Sequence, residues 1–125
     1  MGGGAEMTDD FTSPLDVERA MVELNHRIGN APTIIRDAHN KVRAARAAYK
    51  TAYAMAYKTA EGTQAGRKAE ADLATRDLAD KLDTAEIEFA FLKDTLNGLK
   101  TQLRALQSIG SLMRASMFNP HQGGV

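Results

Sequence analysis

Apolar and small residues recur down the last third of the chain at alternating steps of four and three: Leu78, Leu82, Ala85, Phe89, Leu92, Leu96, Leu99, Leu103, Leu106, Gly110, Met113 and Met117. A seven-residue spacing held for about five and a half heptads predicts a helix lying in a coiled coil. Its Leu and Phe side chains need a partner surface, so this helix is not expected to stand alone. Two weaker stripes precede it. Val17, Met21, Leu24 and Ile28 follow one another at steps of four, three and four, and Ile35, Ala38, Val42, Ala45, Tyr49, Ala52 and Ala56 continue at heptad spacing with less bulk.

Punctuation between the stripes divides the chain. Ser13-Pro14 reads as an N-cap followed by proline at the first helical position, with Asp16 in a capping-box-like place. Gly29-Asn30 and Pro32 predict an interruption, either a sharp turn or a kink, because proline lacks the N–H that would continue the ladder. A second helix is expected from Pro32 to about Glu61. The stretch from Glu61 to Gly66, with two glycines bracketing polar residues, is the best loop in the chain. A third helix is then expected from about Arg67 to Met117, on the order of 50 residues and ~75 Å long, stopped by Asn119-Pro120.

The fold class expected is all-α: a long antiparallel helical hairpin (coiled coil) with a short N-terminal helix and disordered termini. Residues 13–118 form a single helical domain between a disordered tail, 1–12, and a polar tail, 119–125. A loop centred near residue 64 pairs positions whose numbers add to roughly 128. Val42 then faces Ala85, Ala45 faces Leu82 and Tyr49 faces Leu78. In the same register Ile28 falls near Leu99, Leu24 near Leu103 and Met21 near Leu106. The rival arrangement folds the first helix back over the second and leaves Leu96 to Met117 bare.

Composition narrows the class. Hydrophobic residues make up 43 % of the 125, but aromatics only 6 %, and Trp is absent; abundant alanine suits closely approaching helices. With no Cys, disulfides and thiolate metal sites are excluded. No apolar run approaches the ~20 residues that span a bilayer, and the N-terminal MGGGAEMTDD has no signal-peptide pattern. A cytoplasmic protein without membrane attachment is expected.

The formal net charge is zero, yet the charges are segregated. Residues 33–68 hold Arg36, Lys41, Arg43, Arg46, Lys50, Lys58, Arg67 and Lys68 against Asp37 and Glu61. Residues 69–97 hold Glu70, Asp72, Asp77, Asp80, Asp83, Glu86, Glu88 and Asp94 against Arg76, Lys81 and Lys93. Two explanations compete. Opposite charges could flank the seam of the hairpin, pairing Arg43, Arg46 and Lys50 with Asp77, Asp80, Asp83 and Glu86. Alternatively Arg36, Arg43, Arg46 and Lys50, at steps of seven, three and four, form a phosphate-binding strip continued by Lys58, Arg67 and Lys68. Tyr53 or Tyr57 would then stack on unpaired bases.

Catalytic and metal motifs are missing. His26, His39 and His121 have no i, i+4 partner, and His26 and His39 are expected to face solvent. There is no phosphate loop and no nucleophile elbow, so no enzymatic activity, cofactor or small-molecule substrate is expected. Leu96, Leu99, Leu103, Leu106, Gly110 and Met113, with Ser108, Ser111 and Ser116 nearby, are the candidate interface for a second subunit or another protein. Gly110, on the stripe itself, would let another backbone approach closely.

From Leu96 through Leu99, Leu103 and Leu106 to Gln107-Ser108, the chain resembles a group of small phage-encoded helical proteins found among replication and recombination genes. The likeness covers roughly residues 70–117 and carries over no functional residues. It implies a non-enzymatic interaction or accessory protein, working in the host cytoplasm if phage-encoded. Direct DNA binding through the basic strip and a role in virion structure or assembly are the alternatives. A homo-oligomer is expected in each case.

Overall fold

The computed structural model describes residues 13–118, with side chains through residue 116; the expected disordered tail 1–12, the C-terminal tail and His121 lie outside them. Three helices follow in order: α1 (Pro14–Thr59, 46 residues), α2 (Gln64–Ala74, 11 residues) and α3 (Arg76–Phe118, 43 residues). No strand occurs among the described residues. α1 opens as its first residues predict: the Asp16 N–H donates to Ser13 Oγ at 3.3 Å, and Asp16 lies in the first turn, where a carboxylate complements the helix dipole.

The sharp turn that Gly29–Pro32 allowed does not occur. α1 runs through Pro32 without a break, so no separate short N-terminal helix exists. Proline inside a helix costs about 3 kcal/mol. Buried Val17 and Leu24 before it and buried Ala38 and Val42 after it hold α1 helical on both sides. The real interruptions come later. Ala60 to Thr63 form the connection, where Gly62 takes φ +108°, the left-handed region that favours glycine. Thr63 caps α2 by accepting from the Gly66 N–H at 3.1 Å. A second break, with no Gly or Pro to announce it, falls at Thr75. Its buried hydroxyl donates to the Ala71 carbonyl at 2.7 Å, a back-bond of the kind that bends helices.

Two compact units share α1 and α3. In one, residues 13–31 pack on residues 95–116. Val17 and Leu24 of α1 and Leu99 and Leu106 of α3 form its buried cluster, with Ala20, Met21, Ile28, Leu103, Ile109 and Met113 packed around them. Val17 sits over Gly110, and the two numbers add to about 128, the hairpin register. The start of α1 therefore covers the Leu96–Met113 stripe rather than folding back over the rest of α1.

The other unit comprises Pro32–Asp94. Ala38, Val42, Ala71 and Thr75 are its buried residues, with Tyr49, Leu78, Leu82, Ala85 and Phe89 half-buried. His39 stacks on Phe89 with ring centroids 5.1 Å apart, and Lys93 Nζ lies 4.8 Å from that ring's centroid. His39 is exposed, as expected, but not idle. His26 is exposed too and is hydrogen-bonded to Asn30 Nδ2 at 3.2 Å.

Candidate nucleic-acid interface

Seven residues are two helical turns less about 20°, so Arg36, Arg43 and Lys50 lie nearly in line along α1. All three are exposed. Arg43, Arg46, Ala47 and Lys50 line one shallow depression on the surface. Lys58, in the last turn of α1, complements the helix dipole and is exposed, as is Lys68 on α2.

Two members of the strip are engaged by the fold. Arg46 Nη2 meets Glu86 Oε2 at 3.0 Å, both side chains close to half exposed; such a pair is worth about 0–1 kcal/mol. Arg67 is held more firmly. Its Nε and Nη2 donate to the Tyr57 carbonyl at 3.2 and 3.0 Å, and its guanidinium lies 4.4 Å from the centroid of the Tyr57 ring. Tyr57 is in the last turn of α1, where carbonyls have no partner within the helix. Arg67 thus caps α1 and is not a phosphate ligand in waiting.

The tyrosines are also committed. Tyr49 and Tyr53 have centroids 6.0 Å apart, Tyr53 and Tyr57 6.4 Å apart, and all three are half-buried. Burial, then the negative charge of Asp72 and the neighbouring tyrosines, pushes the Tyr53 phenol above its ordinary pKa. With Arg67 on one ring and tyrosines against the others, the expected base-stacking role of Tyr53 or Tyr57 is not supported. What the face offers is charge.

The acidic residues of α3 do not neutralise it. Among the described residues, Glu86 is the only one of Asp77, Asp80, Asp83 and Glu86 that meets a cation within 4 Å. Asp77, Asp80 and Asp83 are exposed, and Asp80 shares a surface patch with Lys81, Thr84 and Glu88 of its own helix. The expected charge-matched seam is reduced to one pair.

The six residues expected to bind a partner are occupied within the chain. Leu99, Leu106 and Gly110 are buried, while Leu96, Leu103 and Met113 are half-buried. Gly110 does not admit a second backbone: a Cβ there would sit 3.5 Å from Val17 Cγ1, ordinary van der Waals contact. Beside this stripe Ala105, Ile109 and Leu112 follow one another at steps of four and three, a shorter pattern overshadowed by the leucines.

No group of three or more His, Asp or Glu side chains able to hold a metal ion occurs among the described residues. None of their helices is long and apolar enough to cross a membrane. Comparison with protein-family models, curated proteins and solved structures finds no match.

Proposed function

We propose that the protein is a non-enzymatic helical accessory protein that binds nucleic acid through its phosphate backbone, along the Arg36–Arg43–Lys50 face of α1. One observation carries this reading: Arg43 and Lys50 share an open depression and have no carboxylate within 4 Å among the described residues. Cations seven residues apart are about 10 Å apart along a helix axis. That is near three axial steps of about 3.4 Å on one strand of a duplex. A face without free aromatic rings suits backbone contact rather than base reading. The resemblance to phage-encoded replication and recombination proteins makes DNA the polyanion of choice.

Fluorescence anisotropy with a labelled DNA duplex tests it. With about three phosphates neutralised, affinity should fall roughly 40-fold between about 50 and 200 mM salt. Arg43→Glu with Lys50→Glu should abolish binding while leaving helicity unchanged. No binding by the wild type at the lower salt concentration, or binding indifferent to the double reversal, would overturn the proposal.

A further inference from the structure

The cationic face of α1 has a gap. Arg36 and Arg43 are seven residues apart, whereas Arg43, Arg46 and Lys50 follow at steps of three and four. His39 stands in the gap, three residues after Arg36 and four before Arg43, and completes a stripe of alternating threes and fours. Residues at those spacings are neighbours on a helix surface, about 5–6 Å apart at Cβ. His39 is exposed, and its ring lies against Phe89 with centroids 5.1 Å apart and an interplanar angle of 28°. Neither ring nitrogen has a hydrogen-bond partner among the described residues. His26, by contrast, is engaged with Asn30. Stacking thus holds the His39 ring at the surface and leaves its nitrogens to an outside partner.

The charges around His39 call for an anion from outside. On α1 its neighbours are the two arginines; Asp37 and Lys41, two residues to either side, are turned about 200° away. From α3, Lys93 Nζ lies 4.8 Å from the centroid of the same Phe89 ring. Glu86, three residues before Phe89, meets Arg46 at 3.0 Å, and Glu88 shares a patch with Asp80 and Thr84. An imidazole ordinarily gains its proton as pH falls from about 8 to 5. Once charged, His39 is one more cation among Arg36, Arg43 and Lys93, steadied by the Phe89 π-face it already rests on. A phosphate relieves that crowding of like charge and accepts from the ring N–H groups. We propose that His39 is a fourth phosphate ligand of the α1 face, recruited by protonation. The inference rests on the nucleic-acid reading and adds to it: binding strengthens on acidification, and by linkage takes up a proton.

Anisotropy of the same labelled duplex with the full chain, at about pH 8 and about pH 5.5, tests it. Between about 50 and 200 mM salt, affinity at the higher pH should fall roughly 40-fold, as for three phosphates; at the lower pH a fourth should make the fall roughly 150-fold. At the lower salt concentration acidification should tighten binding about fivefold, a charge-assisted contact discounted for exposure. His39→Gln should bind at the lower pH as the wild type does at the higher. His39→Arg should bind at the higher pH as the wild type does at the lower. His26 and His121 remain in both variants, so a pH response that survives His39→Gln overturns the inference. So does a wild-type salt dependence that is the same at both pH values. Absence of binding at either pH, or binding indifferent to Arg43→Glu with Lys50→Glu, overturns the nucleic-acid reading and the inference with it.

Discussion

Arg67 lends its guanidinium to the Tyr57 carbonyl and ring at the junction of α1 and α2. Arg67→Ala should cost about 1–2 kcal/mol, combining a charge-assisted contact discounted for partial exposure with a cation–π contact. Arg67→Lys should recover little, because an ammonium cannot reproduce the two-pronged geometry. Urea unfolding of both variants checks this, and an Arg67→Lys chain as stable as the wild type would remove the capping role. Tyr53 gives a pH dependence. Its phenol is raised above its ordinary value of 10.0 by burial and by Asp72. At alkaline pH the unfolded chain therefore releases this proton first. The contribution is fully present below pH 10 and is lost as pH climbs through the folded value. Spectrophotometric titration should show one phenol ionising late, and Tyr53→Phe should delete that phase.

Helix continuity through Pro32 has an energetic consequence for α1. Gly29 has nothing within 4 Å of where a Cβ would sit, and the same holds for Gly98 in α3. Gly29→Ala and Gly98→Ala should each stabilise the protein by about 0.5–1 kcal/mol, raising Tm by several degrees. Pro32→Ala should add more, since it restores a backbone hydrogen bond. A loss of stability in any of the three would mean that the helix depends on its breaker at that position. The hairpin register and the Gly62 turn were legible in the sequence, because heptad spacing and glycine chemistry are local signals. Continuity at Pro32 was not, since packing by Leu24 and Val42 overrides a local penalty. The Thr75 break was hidden for the opposite reason: Thr75 looks ordinary until burial forces its hydroxyl onto the Ala71 carbonyl. The basic strip was legible as a face, but Arg67 and the tyrosines could be assigned to the fold only once their partners were visible.

At the scale of the whole chain, zero net charge conceals cations along α1 and carboxylates along the first half of α3. Their separation has two rival uses, and stability distinguishes them. If the two faces attract each other broadly, reversing Arg43, Arg46 and Lys50 to Glu removes three favourable contacts and creates three repulsive ones. The geometry supports a smaller effect, because Arg46 with Glu86 is the single pair that forms between these groups. The triple reversal should then cost no more than Arg46→Glu alone, within about 1 kcal/mol, and added salt should change the difference little. Thermal unfolding of wild type, single and triple variants at low and high salt measures this directly. Near-equal melting of the single and triple variants would leave Arg43 and Lys50 without a structural task, which is the condition for a phosphate-binding face. A triple variant melting many degrees lower, and rescued by salt, would instead make the charge separation a device for folding.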